Sequence, residues 1–111
     1  MSLEKQRDET PILQRPPDTI GSGTVTIALA GTAQQITATS TPTKKVYVAA
    51  DLGNTNPVVV GDINVVAASG SMRGIVLIPG NPSIPIEIDN LNKLYVDSQT
   101  NGDELSYAYV V

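Results

Sequence analysis

The sequence predicts an all-β fold, an antiparallel β-sandwich of the jelly-roll type with eight to nine short strands and an extended N-terminal arm. Two observations lead to this fold class. Of the 111 residues, 33 are Val, Ile or Thr, the β-branched residues that favour strands. Apolar and polar residues also alternate in short segments, which turn residues separate at intervals of about eight to twelve positions.

The first twenty residues differ in composition from the rest of the chain. They hold seven of the 18 charged residues and three of the eight prolines, and they have neither strand nor helix periodicity. Pro16 and Pro17 favour an extended backbone and exclude a helix there. We therefore predict a flexible arm over residues 1–20 and a β-sandwich domain over residues 21–111.

The arm also carries apolar residues that a partner could bury. The candidate partner-binding residues are Leu3, Ile12, Leu13, Pro16, Pro17 and Ile20. Two interpretations stay open. The arm is either a frayed terminus of the kind that most small domains have, or a segment that becomes ordered on a neighbouring subunit.

Nine segments of the domain have strand character, so we predict eight or nine short strands. They cover residues 24–29, 35–39, 45–50, 58–60, 63–67, 75–78, 84–88, 93–97 and 104–110. The first segment alternates strictly and places Val25, Ile27 and Leu29 on one face. Pro85 either places the segment 84–88 at the edge of a sheet or turns its nitrogen toward solvent, because proline has no N–H to donate to a neighbouring strand.

Gly, Pro and Asn residues mark the connections between these segments. Residues 21–23, 53–57, 68–71 and 79–82 are assigned to turns and loops. Asn101 and Gly102 predict a two-residue β-hairpin turn, because both residues tolerate a positive φ. In the strand that follows, Leu105, Tyr107 and Tyr109 share one face.

The composition excludes several classes of chemistry. The chain has no Cys, so it has neither disulfides nor a thiolate nucleophile, and no His, so it has no imidazole base or imidazole metal ligand. A net charge of −4 argues against nucleic acid as a partner. The apolar runs are far shorter than the roughly 20 residues of a membrane-spanning helix. We expect no enzyme activity, no cofactor, no metal, no small-molecule substrate and no membrane partner.

One acidic stretch has the spacing of part of a calcium-binding loop. Asp97, Gln99 and Asn101 match its first, third and fifth positions, but Ala108 stands where the loop needs a bidentate Glu. The flanking segments are strands rather than helices. The stretch is therefore predicted to be a polar hairpin turn, and the other turn carboxylates are expected to accept hydrogen bonds from the nearby backbone. Lys44 and Lys45 are interpreted as the solvated edge of a sheet.

A series of turn-and-strand motifs resembles a known family. In order they are 36–42 (ITATSTP), 46–50 (VYVAA), 54–62 (NTNPVVVGD), 74–80 (GIVLIPG), 86–97 (IEIDNLNKLYVD) and 101–103 (NGD), followed by a Tyr-rich strand. Over residues 32–110 this order resembles small β-sandwich virion structural proteins of tailed bacteriophages, which are often head decoration or cement proteins.

The resemblance implies a non-enzymatic protein that decorates and stabilises a phage capsid through protein–protein contacts. Its partners would be the major capsid protein and copies of itself, and symmetry favours a closed homotrimer. The protein would be made in the host cytoplasm and reside on the capsid surface of the virion. Two alternatives stay open: a tail, baseplate or fibre component, and a carbohydrate-binding or adhesin module.

Overall fold

Eight short strands and one 3₁₀ turn make up the regular structure, and the computed structural model describes residues 19–111. The strands are β1 (Ile20–Thr26), β2 (Gln34–Gln35), β3 (Lys45–Ala50), β4 (Val58–Gly61), β5 (Ile75–Leu77), β6 (Ile84–Ile86), β7 (Tyr95–Ser98) and β8 (Glu104–Val110). The 3₁₀ turn, Leu91–Lys93, lies between β6 and β7. Residues 19–111 contain no α-helix, and none of their helical structure could cross a membrane.

The strands form two antiparallel sheets. The first sheet has the order β1-β8-β3-β6 and the second has the order β2-β7-β4-β5. Strand β1 pairs with β8, β2 with β7, β3 with β6 and β4 with β5. The chain is thus one long hairpin with its tip between β4 and β5, rolled up so that its successive strand pairs fall in opposite sheets. This is the jelly-roll topology, and the predicted β-sandwich is confirmed.

Aliphatic side chains fill the space between the sheets. The buried residues of this core are Val25, Ile27, Ile36, Val46, Val48, Ala50, Val58, Val60, Leu77, Leu91, Leu94, Val96 and Leu105. In β3, Val46, Val48 and Ala50 are buried while the residues between them are more exposed, as period-two alternation requires. Tyr107 and Tyr109 pack against this core and supply its aromatic volume.

Two glycines of β1 make room for these tyrosines. Gly21 is paired with Tyr109 and Gly23 with Tyr107. A Cβ on Gly21 would lie 2.3 Å from Cζ of Tyr109, and one on Gly23 would lie 2.5 Å from the hydroxyl of Tyr107. The assignment of residues 21–23 to a turn is therefore wrong, because the missing side chains leave space for two rings across the strand pair.

We expect Gly23→Ala to lower the free energy of unfolding by about 1–2 kcal/mol, because the new methyl group displaces the Tyr107 ring. In a Tyr107→Ala background the same change should be neutral or stabilising, since Ala in a strand is favoured over Gly by about 0.5–1 kcal/mol. Urea denaturation of the four proteins gives the coupling. An equal loss in both backgrounds would contradict the pairing.

Asn101 and Gly102 do not form the predicted β-hairpin turn. The strands on either side of them, β7 and β8, lie in different sheets and do not pair. Gly102 has a φ of 91°, whereas no non-glycine residue among those described has a positive φ, so the tight turn that needs two such residues does not form. The segment is instead a crossover that carries the chain from the second sheet to the first.

The predicted strand over residues 63–67 is also wrong. It belongs to the β4–β5 connection, residues 62–74, in which the only ladder contact is a single bridge between Val66 and Arg73. Val59 faces outward from β4, and Val65 and Ala67 bury it. The apolar residues of this segment therefore cover the outer face of the second sheet instead of joining it.

Several other elements differ from the sequence prediction in extent or place. Leu29 lies beyond β1 and is exposed rather than on the buried face, because the chain turns after Ile27. Of the segment 35–39, only Gln35 lies in a strand, as the second residue of β2. Lys45 begins β3, which lies inside the first sheet, so its assignment to a sheet edge is wrong. The edge position predicted from Pro85 is confirmed, because β6 is the last strand of that sheet.

Candidate interaction surface

Polar side chains fasten together the loops at one end of the sandwich. Antiparallel pairing brings the β1–β2, β3–β4, β5–β6 and β7–β8 connections to this end. The backbone N–H of Gly102 donates to the carbonyl of Ile27 at 2.9 Å. The backbone N–H of Ala30 donates to Oδ1 of Asn101 at 2.7 Å. The β7–β8 crossover is thereby tied to the β1–β2 loop.

The buried carboxylate of Asp103 organises the β3–β4 loop. Its Oδ1 accepts a hydrogen bond from the backbone N–H of Thr55 at 2.9 Å, and its Oδ2 accepts one from that of Asn56 at 3.0 Å. The hydroxyl of Ser98 donates to the same Oδ2 at 2.8 Å. Both oxygens are therefore used by protein donors, and the side chain acts as an anchor for a loop that has no strand partner.

The buried carboxylate of Asp97 anchors other segments in the same way on the outer face of the second sheet. Its Oδ1 accepts from the backbone N–H groups of Gly31 at 2.9 Å and Ser98 at 2.8 Å, and its Oδ2 accepts from that of Ala67 at 3.1 Å. It is only 1% exposed. One carboxylate thus joins the β1–β2 loop and the β4–β5 connection to β7.

The amide side chain of Asn54 imitates a strand neighbour of β8. Its Nδ2 group donates to the carbonyl of Glu104, and its Oδ1 accepts from the N–H of Glu104, as a paired strand would. At Ala67 two side chains share this role. Gln99 donates from Nε2 to its carbonyl, and Asp97 accepts from its N–H.

The segment 97–103 has none of the geometry of a calcium-binding loop. Its two carboxylates point to different loops, and both are occupied by backbone donors. No group of three potential metal ligands occurs anywhere in residues 19–111. The expectation that turn carboxylates accept from nearby backbone is confirmed for Asp51 and Asp62, which accept from Gly53 and Asn64.

A shallow cavity lies between these fastened loops. It encloses about 290 Å³ and is lined by Ala30, Gly31, Val66, Ala68, Asp97, Ser98 and Gln99. The carboxylate in its wall is already bonded to three N–H groups. The cavity therefore presents mainly small apolar side chains, and its one carboxylate is already used by protein donors, which gives a ligand little to recognise.

The β5–β6 side of the sandwich exposes a row of large apolar residues. Leu52, Ile75, Val76 and Ile78 are exposed by 80%, 38%, 38% and 50%. Leu52 reaches this side from the β3–β4 loop, since its Cδ2 lies 3.7 Å from where a Cβ on Gly80 would be. We refer to these four residues, together with the half-buried Ile84, as the apolar edge.

The apolar edge is also where both sheets end. Strand β5 is the last strand of the second sheet and β6 is the last strand of the first. A narrow cleft of about 30 Å³ separates them, with Val76, Leu77 and Ile78 on one wall and Ile84 on the other. Pro85 protects β6 from pairing with another strand, but β5 contains neither a proline nor a charged residue.

Opposite charges meet at the other end of the sandwich, between β6 and β7. Lys93 Nζ lies 2.7 Å from Oδ1 of Asp89. The hydrogen bond and the charge of Lys93 lower the pKa of Asp89 below its usual range. Both side chains are exposed, so solvent screens the pair, and it adds little to the free energy of unfolding.

Of the predicted partner-binding residues, the structure places one. Ile20 is the first residue of β1, paired with Val110, and it is 72% exposed. The other five, Leu3, Ile12, Leu13, Pro16 and Pro17, lie outside the described residues. The tyrosines do not form a shared outward face, because Tyr107 and Tyr109 pack against the core while Tyr47 is exposed on the opposite face of the first sheet.

Sequence reasoning did not identify the apolar edge. The run 75–78 has four consecutive apolar residues, and such a run is typical of a strand that is buried on both faces. Pro79 and Pro82 show where this strand ends but not which strands lie beside it, so the sequence carries no signal that the run forms an edge strand.

Comparison of the chain with protein-family models, with curated protein sequences and with solved structures finds no match. The fold and the apolar edge therefore stand on the sequence and structure of this chain alone.

Proposed function

We propose that the protein is a non-enzymatic structural component of a tailed-phage virion, which decorates and stabilises the capsid through protein–protein contacts. The major capsid protein and copies of the same chain are its partners, and three copies form the unit that binds. It is made in the host cytoplasm and resides on the capsid surface. The resemblance of residues 32–110 to phage decoration proteins is the basis for the virion role.

The observation that best supports a binding role is the apolar edge. Soluble proteins usually blunt their edge strands with charges or proline, because an open strand pairs with other chains. Strand β5 has no such protection, and Leu52 and Ile78 extend the exposed apolar surface beyond it. A surface of this kind is typical of a site that a protein partner covers.

The rigidity of the loops also suits a capsid-binding protein. Asp97 and Asp103 hold the loops at one end in fixed positions, so binding to many identical sites would require little further ordering. The jelly-roll fold by itself does not distinguish a capsid protein from a carbohydrate-binding one, because capsid and lectin domains share it.

The decisive experiment measures where the protein lies in purified virions and in how many copies. Quantitative mass spectrometry should give a fixed ratio to the major capsid protein, in multiples expected for three-fold positions. Electron microscopy of virions carrying labelled protein should show the label on the head. A label confined to the tail, or a few copies per particle, would overturn the decoration role in favour of a tail component.

A second measurement tests the arm. Removal of residues 1–18 should leave the melting temperature nearly unchanged but weaken capsid binding at least about tenfold. The deletion stops at Asp18 because the carbonyl of Thr19 accepts from the N–H of Val111 and β1 begins at Ile20. Equal binding by the full and shortened chains would show that the arm is only a frayed terminus.

A further inference from the structure

The arm and the apolar edge belong to opposite sides of the sandwich. The chain enters the first sheet through β1, at one side, and the apolar edge lies at the other, beside β5 and β6. We propose that residues 12–15 of one copy add as a further strand to β5 of a second copy, so that copies join head to tail. This inference deepens the proposed function and rests on it for the role of the assembly.

Strand β5 can accept such a strand. It is paired only with β4, so the backbone groups on its other side have no strand neighbour. Ile75 and Val76 point to opposite faces, and each is 38% exposed. An added strand therefore gains main-chain hydrogen bonds and also apolar contacts on both of its faces, as in other cases of strand addition.

The arm contains one segment suited to this position. Between Pro11 and Pro16 it has four residues that all carry an N–H group, of which Ile12 and Leu13 are apolar. Consecutive residues of a strand point to opposite faces, so Ile12 and Leu13 would contact the two exposed faces of the β5 edge. The length also fits, because β5 itself is three residues long.

The other free edge beside it is a poor acceptor. In β6 the central residue of three is Pro85, which has no N–H and interrupts any ladder with an incoming strand. Ile84 and Ile86 are already half-buried against the core. Strand β5 is therefore a better acceptor for an added strand than β6.

The geometry favours a second copy over the arm's own domain. From Leu13 to Ile20 the chain spans at most about 25 Å when fully extended. The first sheet is about 14 Å wide between β1 and β6, and the second sheet lies about 10 Å from it. An arm that passes around the sandwich to its own β5 would therefore use nearly all of this length. In the proposed contact, Pro16 and Pro17 favour an extended connection between the added strand and β1.

Because donor and acceptor are different surfaces, each copy can give one strand and receive one. Such a heterologous contact generates a ring if the rotation closes, and the trimer of the proposed function would be the ring of three copies. Addition of the arm to β5 of a second copy would then explain both the homotrimer and the binding role of the arm.

The first test is the oligomeric state of the purified full-length protein, measured by sedimentation velocity without capsids. The wild-type protein should form a closed oligomer. Val76→Lys and Ile78→Lys, which place a charge on the exposed edge, should raise the dissociation constant at least about tenfold. The control, Leu29→Lys, changes an apolar residue that is more exposed than either of these but lies in the β1–β2 loop, and it should leave the oligomer intact. Circular dichroism verifies that all variants are folded.

The second test combines two defective full-length proteins. One carries Ile12→Lys and Leu13→Lys and keeps its edge, while the other carries Val76→Lys and keeps its arm. Neither should self-associate, but a mixture should form a one-to-one heterodimer and stop there, because only one donor and one acceptor remain. No heterodimer, a monomeric wild-type protein, or an oligomer that survives Val76→Lys would overturn the proposal.

These outcomes are separate from those that test the virion role. If the ring fails to form but the protein decorates capsids, only the strand-addition proposal is wrong. If the ring forms and purified virions lack the protein, the strand addition stands and the decoration role is wrong.

Discussion

Gly74→Ala is expected to lower the free energy of unfolding by about 3–4 kcal/mol, a large part of the stability of a small domain. Gly74 has a φ of 126°, a conformation that L side chains rarely adopt. A Cβ there would also lie 2.8 Å from the carbonyl oxygen of Val60 and 2.9 Å from Cγ1 of Val59. The backbone of β4 cannot move away without loss of its pairing with β5 and β7.

Gly70→Ala is the matched control for this prediction. Gly70 has a φ of 83° in the same β4–β5 connection, but nothing lies within 4 Å of the position that its Cβ would take. We expect a loss of only about 1–2 kcal/mol, which comes from the backbone conformation alone. Urea denaturation of both variants measures the difference. Equal losses would mean that the contact of Gly74 with β4 has no energetic consequence.

Asp103→Ala should lower the free energy of unfolding by about 3 kcal/mol, because two part-buried hydrogen bonds from backbone amides and one buried hydrogen bond from a hydroxyl are lost. The amides are those of Thr55 and Asn56, and the hydroxyl is that of Ser98. Hydrogen exchange at the two amides should rise at the same time, since the β3–β4 loop is then held mainly by Asn54.

The control for this change is Asp62→Ala. Asp62 is also a turn carboxylate, but it is exposed and accepts only from the backbone N–H of Asn64. Its removal should alter the free energy of unfolding by less than about 1 kcal/mol. A loss as large as that of Asp103→Ala would show that burial does not separate the two carboxylates.

The sequence was sufficient to predict the fold class, because period-two alternation records which face of each strand is buried. The buried row of Val46, Val48 and Ala50 and the edge position of Pro85 follow directly from that pattern. Alternation does not record which strands are neighbours. Asn101 and Gly102 have the composition of a local hairpin, and only the pairing of β8 with β1 and β3 shows that they form a crossover between sheets.

The role of the β1 glycines and the position of the apolar edge were harder to predict, because both depend on partners distant in sequence. Gly21 and Gly23 resemble turn residues until the rings of Tyr107 and Tyr109 are placed across from them. The apolar residues of β5 resemble a buried strand until the sheet order puts them at an edge. In both cases the residue types can be read from the sequence, but their structural role depends on which distant strands pair with them.

The pairing of β1 with β8 has a consequence for synthesis on the ribosome. Ile20 pairs with Val110, so β1 has no partner until β8 has been translated. Because β8 also separates β1 from β3, the first sheet cannot be completed before that point. The sheet is therefore expected to close late, on the millisecond-to-second timescale of folds dominated by non-local contacts. Until it closes, the open edge of β5 is accessible to other chains translated from the same messenger RNA.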